Sequence, residues 1–483
     1  MLPASDPMYK FILSGVKEGF HITDISEIKH PAEVDNYSSA TGTNIRDKVE
    51  AQIKLEIANH RYRVVTDKPV IVSALGAIPK KHSQEVRLIH DCSRPSGLSL
   101  NDYCTNDPFK YQSLQDAVDL IKPGYYMAKL DLASAYRSVR VHESNFPATG
   151  LKWTFSGDTE PTYIVDTRLP FGARASPGIF HQLSQAVRRI MSHANINSIV
   201  VYLDDFLVIG QSKEQCNDFL LQLIQLLRYL GFSINYNKVL GPVQRLTFLG
   251  ITLDSNTMTL ELPDDKLQEL QNTLSTIVAK KKATKKQLQS IAGKLSWATQ
   301  VIYGGRFHLR RILNAIIPLR SAWHRTRITK EIREDVNWWL QFMYAFNGKT
   351  DMVDARPTTP VYIDSCPVAA GAVYGNQYVY TPWNWWPGTN QLHINFKEAL
   401  ALETAAAFWA PLWKNKKVWV FCDNQAAVGM INKGSCKNPF VMASLRRVFW
   451  YSATFNFRLK AIYLPGRFNT VADFVSRLHE YST

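Results

Sequence analysis

Two consecutive acidic residues inside an apolar run constrain the fold of this chain more than any other feature. Residues 200–209 read VVYLDDFLVI, and Asp204 and Asp205 interrupt what is otherwise a buried strand. The run KLDL places Asp131 in a similar setting. Because side chains alternate between the faces of a strand, adjacent acids predict a tight turn with both carboxylates near one end.

Buried carboxylates are costly without a counter-charge, and a hard divalent cation supplies one. Two such ions can activate an attacking hydroxyl and stabilise the leaving oxygens of a displacement at phosphorus. The alternative is a β-hairpin whose acids face solvent or pair with arginine.

A second set of acids occurs near the carboxyl end of the chain, in strand-like or helix-start contexts. The set comprises Asp364, Glu398, Asp423 and Asp473. Their spacing suits two strand ends and two helices that converge on one patch. Glu403 competes with Glu398 for the helical position, and four unrelated surface acids remain the alternative.

Length and charge limit the possible functions. The chain has 483 residues, enough for about three domains, and a net charge of +15. Such a basic protein is expected to bind a polyanion, with nucleic acid the first candidate and a membrane surface the second. The six cysteines form no C-x-x-C pair, no apolar run is long enough to span a bilayer, and no signal peptide is evident. We therefore expect no membrane association and an intracellular location, cytoplasmic or nuclear.

The pattern of the chain predicts several elements and one boundary. The polar, proline-bearing segment 347–360 predicts a linker, and alternating strands and helices beyond it predict a compact α/β domain. Helices are predicted over residues 44–59, 214–230 and 396–408 and from about residue 469. Strands are predicted on both sides of the acids in 200–209, and over 248–253, 361–364, 370–374 and 418–423.

Ordered blocks across residues 76–255 resemble reverse transcriptases. They include DLASAYRSVRV from Asp131, LPFGARASPGIF at 169–180, YLDD at 202–205, NYNK and FLG. The resemblance implies an α+β right-hand polymerase in which Asp131, Asp204 and Asp205 hold two Mg²⁺ ions, with Mn²⁺ possible. It also implies an N-terminal extension and the start of the fingers at 1–75, fingers and palm at 76–255, a thumb or connection at 256–346 and a ribonuclease H-like domain at 361–483.

The same resemblance assigns substrate contacts. Tyr136 is the expected steric gate against ribonucleotides, and Lys238 the expected proton donor to pyrophosphate. The remaining implied substrate-binding residues are Lys80 and Arg87 at the triphosphate, and Phe171 and Gly172 beside template and nucleotide. Phe171 stands where retroviral enzymes commonly carry glutamine, which puts the contacts of that glutamine in doubt. Plain core packing for Tyr136, a surface salt bridge for Arg87 and a solvated Lys80 are the alternatives.

The second acid set resembles ribonuclease H, chiefly through the Asp423–Asn424 pair and the N-x-x-A-D run at 469–473. The resemblance implies two Mg²⁺ ions that activate water to cut the RNA strand of a hybrid. No counterpart to the loop histidine of some ribonucleases H is evident, and His393 is expected to be structural.

The phrases LGAIPKKHSQEVRLIHDCSRPSGLSLND and IYLPGRFNTVADFVSRL resemble DIRS-type retrotransposons, with gypsy-type elements and pararetroviruses as rivals. The implied function is RNA- and DNA-templated DNA synthesis with ribonuclease H activity in retroelement replication. The implied partners are an RNA template, a DNA primer, an RNA–DNA hybrid and dNTPs; the sequence carries no signal for an oligomeric state. A domesticated, catalytically inactive nucleic-acid-binding relic is the alternative.

Overall fold

The computed structural model describes residues 2–79, 85–104, 108–346 and 348–481. The chain forms two compact units, Met1–Leu249 with Asp254–Thr257, and Gly250–Leu253 with Met258–Thr483. The first unit contains helices α1 Tyr9–Glu18, α2 Ser38–Thr41, α3 Arg46–Ala58, α4 Leu100–Tyr103, α5 Leu114–Leu120, α6 Ala135–Ser138, α7 Ala175–His193 and α8 Lys213–Tyr229.

Its strands are short, and eleven of the twelve form three sheets. They are β1 Ala32–Glu33, β2 Tyr62–Val65, β3 Ile71–Val72, β4 Ala74–Pro79, β5 Val86–Asp91, β6 Tyr126–Asp131, β7 Gly150–Trp153, β8 Thr162–Asp166, β9 Ile199–Tyr202, β10 Asp205–Gly210, β11 Leu240–Val243 and β12 Arg245–Phe248. One sheet has the order β1-β3-β7-β8-β2, another the order β11-β6-β10-β9, and β4 and β5 form a two-stranded sheet.

The sheet β11-β6-β10-β9 positions the first acids. Its strands are antiparallel, and their inward apolar side chains join the main core of this unit. The predicted helix after this sheet is confirmed as α8, whose start is capped by Ser212, which accepts from the Gln215 amide at 3.2 Å. The predicted helix over residues 44–59 is likewise confirmed as α3.

One strand prediction was wrong. Residues 248–253 do not form a single strand, because β12 ends at Phe248 and a new strand, β13 Ile251–Asp254, begins after a break. Leu249 and Gly250 both take positive φ, 49° and 81°, which no strand accommodates. Glycine adopts a positive φ without strain, so Gly250 suits this conformation. Nothing in the sequence indicates a positive φ for Leu249.

The second unit combines helices with an α/β sheet. Its elements are α9 Asp264–Ala279, α10 Lys285–Ala298, α11 Arg310–Ile316, α12 Lys330–Phe346, α13 Ile394–Trp409, α14 Gln425–Lys433, α15 Pro439–Phe455 and α16 Thr470–Ser476, with strands β14 Thr259–Glu261, β15 Lys282–Thr284, β16 Arg325–Arg327, β17 Lys349–Asp351, β18 Thr358–Ser365, β19 Ala369–Tyr374, β20 Gln377–Pro382, β21 Lys417–Cys422 and β22 Arg458–Tyr463. The strands and helices predicted beyond residue 360 are confirmed.

The five-stranded sheet of this unit has the order β20-β19-β18-β21-β22. Strands β18, β21 and β22 run parallel, whereas β19 and β20 are antiparallel to their neighbours. Helices α13 and α15 contribute to its apolar core. The predicted linker contains β17, which pairs with β14 in the same unit, and the finer division of the chain into subdomains stays a prediction.

Within the described ranges, every helix is too short or too polar to cross a bilayer. All six cysteines are buried and unpaired, as the absence of a disulfide pattern predicts.

Candidate functional site

A tight turn brings the first three acids to one end of a sheet. Asp205 pairs with Tyr202 across the β9–β10 hairpin and with Asp131 on the neighbouring strand β6. Leu203 takes a φ of 54°, which closes the turn, and the Asp204 carbonyl accepts from the Leu132 amide at 3.1 Å. The structure thus joins Asp131, Asp204 and Asp205, as the turn prediction requires.

The electrostatics of this cluster fit a divalent cation. Burial, with the neighbouring carboxylates, raises the pKa of Asp205 to about 6, and burial also raises the pKa of Asp204. Lys238 forms an ion pair with Asp131, and its hydrogen bond to that carboxylate raises the pKa of the lysine. Three acids with one lysine leave an excess of negative charge, which suits hard cations with oxygen ligands.

A cleft of about 740 Å³ opens beside these acids. Its lining includes Arg87, Tyr136, Phe171 and Lys238, four of the predicted substrate-binding residues. The Tyr136 ring centroid lies 5.3 Å from that of Phe171, and the Arg87 guanidinium lies 6.0 Å from the Phe171 ring. The structure therefore places the predicted nucleotide contacts around one cavity. Lys80 lies outside the described residues.

Gly172 shapes this cleft through its backbone. Its φ is +128°, and a Cβ atom there would lie 2.0 Å from the carbonyl oxygen of His90 on β5. The His90 amide donates to the Phe171 carbonyl at 3.1 Å, and Asn101 donates to the Gly172 carbonyl at 2.9 Å. Glycine is needed here because the loop carrying Phe171 packs directly against the β5 backbone.

The second acid set also converges. Asp364 lies near the end of β18, Glu398 on α13, Asp423 directly after β21 and Asp473 on α16. The Ser365 amide donates to Glu398 at 3.2 Å, and the Ser476 hydroxyl donates to Asp364 at 2.6 Å.

Of the two helical candidates, the structure brings Glu398 to this cluster. Glu403 instead forms an ion pair with Arg447 on α15. His393 caps α13 by accepting from the Asn395 amide at 3.2 Å, which agrees with the structural role expected of it.

Burial dominates the electrostatics of the second cluster. Burial and the carboxylates of Asp364 and Asp423 raise the pKa of Glu398 to about 9. Burial raises the pKa of Asp364 to about 6, and burial also raises that of Asp423. Arg477 donates to Asp473 at 2.9 Å. Arg477 pairs with Asp473, whereas the Asp364, Glu398 and Asp423 carboxylates have no ion-pair partner among the described residues, which fits a divalent cation.

Sequence reasoning missed three residues of these sites. Cys422 contributes to a group with Glu398 and Asp423 whose potential ligand atoms lie within 4.8 Å of one another. Ser476 contacts Asp364, and Arg137 lines the cleft beside Tyr136. The sequence does indicate that Arg137 is unusual, because an arginine inside the run AYRSVRV must either be exposed or pair with an acid in the interior.

Together, the hairpin sheet beside a cleft and the four-acid α/β sheet correspond to the fold class of a right-hand polymerase followed by a ribonuclease H-like domain. Residues 61–253 match the family model described as "Reverse transcriptase (RNA-dependent DNA polymerase)". The chain therefore contains a reverse transcriptase domain of the kind carried by retroelement and pararetrovirus polyproteins.

Relatives align over most of the chain at low identity. The genome polyprotein of Petunia vein clearing virus (isolate Shepherd) is 22% identical over 396 residues, which cover 79% of this chain and 17% of the polyprotein. The Transposon Tf2-3 polyprotein of Schizosaccharomyces pombe is 22% identical over 412 residues, 83% of this chain and 28% of the polyprotein. The chain thus spans less than a third of the length of these two relatives.

Solved structures share the fold. The foamy viral protease-reverse transcriptase in complex with RNA/DNA hybrid has a TM-score of 0.57 at 16% identity, covering 92% of this chain and 56% of that one. The same viral protein in complex with dsDNA has a TM-score of 0.54 at 16% identity, covering 92% of this chain and 86% of that one. The fold is an α+β reverse transcriptase fold followed by a ribonuclease H-like α/β domain.

Proposed function

We propose that this chain is an RNA- and DNA-templated DNA polymerase with ribonuclease H activity that serves retroelement replication. One observation carries the proposal: two separate carboxylate clusters, each partly buried and each with more acids than cations, occur in one basic chain. The partners are an RNA template, a DNA primer, their hybrid and dNTPs.

In the polymerase site, Asp131, Asp204 and Asp205 would hold the metal ions. Mg²⁺ bound there, or Mn²⁺ in its place, would lower the pKa of the primer 3′-hydroxyl and neutralise the triphosphate. Tyr136 would contact the sugar and exclude a 2′-hydroxyl. Arg87 and Lys80 would pair with the triphosphate.

Lys238 would act at the opposite end of the reaction. Its ammonium group already lies in the carboxylate cluster through its pair with Asp131. Because that pairing raises its pKa, the group is protonated at neutral pH and can donate a proton to the leaving pyrophosphate.

In the ribonuclease H-like domain, Asp364, Glu398, Asp423 and Asp473 would hold the second pair of ions. Mg²⁺ there would activate water for attack on a phosphodiester of the RNA strand. Ser476 keeps Asp364 oriented, and the Ser365 amide keeps Glu398 oriented toward the cluster. The raised pKa of Glu398 is consistent with a side chain that gives up its proton when a cation arrives.

We further propose a DIRS-type origin and an intracellular location, cytoplasmic or nuclear. The origin is supported by the phrases that resemble this lineage. The aromatic Phe171, where retroviral enzymes commonly carry glutamine, is typical of the gypsy and DIRS groups alike. The location is supported by six buried, unpaired cysteines. Gypsy-type and pararetroviral origins are the rivals.

The competing hypothesis is a binding relic that keeps the fold without chemistry. All seven carboxylates stand in place, whereas a relic would need only its lysines and arginines to bind nucleic acid. Primer extension on poly(rA)/oligo(dT) in Mg²⁺, with the RNA strand end-labelled, separates the two. Extension and cleavage that both stop on chelation with EDTA support the proposal; tight, salt-sensitive binding with neither activity, in Mg²⁺ or Mn²⁺, contradicts it.

A further inference from the structure

A buried ion network lies directly beneath Tyr136. Arg137, the next residue, is only 7% exposed, and its guanidinium lies between two buried acids. It donates to both carboxylate oxygens of Asp166 at 2.8 and 2.7 Å, and to Glu56 at 3.0 and 2.8 Å. It also donates to the Leu169 carbonyl at 3.5 Å. Every nitrogen of the guanidinium is therefore engaged.

This network joins elements that are distant in the sequence. Glu56 lies near the end of α3, Asp166 at the end of β8, and Arg137 on α6. Buried charges of this kind strengthen a fold little compared with apolar packing, but removing one partner is strongly destabilising. Such a network does fix the position of the arginine, because a planar guanidinium group can bind two carboxylates at once in only one orientation.

The helix that carries Tyr136 needs this external support. Helix α6 has only four residues, Ala135–Ser138, and the residue before it, Ser134, has a φ of 54°. One helical turn does not hold its own shape in water. The Tyr136 ring contacts the rings of Phe171 and Phe180 at centroid distances of 5.3 and 5.4 Å. Such apolar ring contacts are not directional, whereas the charge-assisted hydrogen bonds of Arg137 are directional and hold the helix backbone in place.

We propose that Arg137, clamped by Glu56 and Asp166, is a positioning residue that sets the location of Tyr136 and thereby the strictness of sugar discrimination. This inference rests on the proposed polymerase function and deepens it. Among the described residues, Arg137 forms hydrogen bonds with Glu56, Asp166 and Leu169 and none with Asp131, Asp204 or Asp205. It acts through the backbone it shares with Tyr136.

The test compares incorporation of dTTP and UTP on poly(rA)/oligo(dT). Discrimination is the ratio of kcat/KM for the two nucleotides. In Arg137→Lys, a single ammonium group cannot bind the Glu56 and Asp166 carboxylates together as the guanidinium group does. We therefore expect discrimination to fall between about tenfold and a hundredfold. The kcat/KM for dTTP should fall by less than this factor, so most of the change is a rise in kcat/KM for UTP. In a Tyr136→Ala background the same change should have little further effect, because the gate is already absent.

A matched pair of variants on one helix guards against general unfolding. Glu56→Gln weakens the clamp, whereas Glu50→Gln changes an equally buried acid on α3 that bonds to Ser156 and Lys54 instead. Only Glu56→Gln should reduce discrimination. Cleavage of the RNA strand and a thermal melt report folding in each variant.

The outcomes separate the two hypotheses. Two results would overturn the role of Arg137 alone. One is an equal loss of kcat/KM for dTTP and UTP in Arg137→Lys and Glu56→Gln. The other is a loss of discrimination in Arg137→Lys that adds in full to the loss in Tyr136→Ala. A wild-type chain that extends the primer with neither nucleotide would overturn the polymerase function and this inference with it.

Discussion

The two carboxylate clusters of this chain are assembled in different ways. In the first, Asp131 and Asp205 face each other across neighbouring strands, and Asp204 lies in the adjoining turn. In the second, Asp364 and Glu398 lie on a strand and a helix that meet only in the folded domain. Strand register therefore builds the first site, whereas the topology of a whole domain builds the second.

The clusters also differ in charge balance. Lys238 pairs with Asp131 in the first cluster. In the second cluster Arg477 pairs with the half-exposed Asp473, but over the described part of the chain no lysine or arginine forms an ion pair with Asp364, Glu398 or Asp423. Burial instead raises the pKa of Glu398 to about 9. The first site is thus partly neutralised by its own side chain, and the second by a proton until a cation binds.

The largest expected effect concerns the helical acid of the second site. We expect Glu398→Gln to lower RNA cleavage at least about 10³-fold and to leave primer extension unchanged, because it removes a metal ligand. The metal-free fold should be at least as stable at pH 7, because a glutamine need not take up a proton on burial. Cleavage assays and thermal melts measure both.

Glu403→Gln is the control, since Glu403 lies on the same helix and pairs with Arg447 instead. It should cost stability and spare cleavage. Loss of cleavage in Glu403→Gln but not in Glu398→Gln would reverse the assignment of the two acids.

Removing Lys238 should make the first site resemble the second. We expect Lys238→Met to lower extension about 10²-fold, the usual loss when a general acid is removed. Cleavage should be unaffected, which the end-labelled hybrid reports in the same reaction. Unchanged extension in single-turnover conditions would argue that Lys238 serves only to neutralise Asp131.

The difference in charge balance predicts a difference in pH dependence. A metal ion must displace the proton of Glu398, so the Mn²⁺ affinity of the second site should rise from about pH 6 to about pH 9, by up to about tenfold per pH unit. Asp205, with a pKa of about 6, is already ionised above pH 7, so the first site should bind with little pH dependence there.

Calorimetric titration with Mn²⁺ can resolve the two sites. Asp204→Asn with Asp205→Asn isolates the second site, and Asp364→Asn with Asp423→Asn isolates the first. If the Mn²⁺ affinities of the two variants changed with pH in the same way, the proposed difference in charge balance between the two sites would be wrong.

The smallest effect tests the backbone beside the cleft. Gly172→Ala should lower the free energy of unfolding of the first unit by about 2 kcal/mol or more, because the methyl group meets the His90 carbonyl and the φ is strained. Gly97→Ala also has a positive φ but open space around its Cβ, and should cost about 1 kcal/mol. Urea unfolding followed by tryptophan fluorescence compares them; equal losses would show that strain, not the contact, matters.

How far the sequence predicts this molecule differs between the two sites. The turn at Asp204 and Asp205 follows from alternation within one short run, so elementary strand geometry suffices. The choice of Glu398 over Glu403 needed resemblance to a family, because both acids lie on one helix. The structure excludes Glu403 from the cluster because Glu403 pairs with Arg447. These two residues are 44 positions apart in the sequence and meet only in the folded chain.

Two other features cannot be located from any short run of the sequence: the break at Leu249 and the partners of Arg137. The break at Leu249 arises from a positive φ that leucine rarely adopts. The Arg137 clamp joins Glu56 and Asp166, whose separations from it are 81 and 29 residues. Pairing of this kind is set by tertiary packing, which no periodicity within a short run encodes.

The central claim is that one chain carries two independent metal-dependent sites. It is tested most directly on a hybrid labelled on both strands, in Mg²⁺, with two variants in parallel. We expect Asp204→Asn with Asp205→Asn to abolish extension and retain cleavage, and Asp423→Asn to abolish cleavage and retain extension. Loss of both activities in either variant, with the fold intact by thermal melt, would contradict the claim.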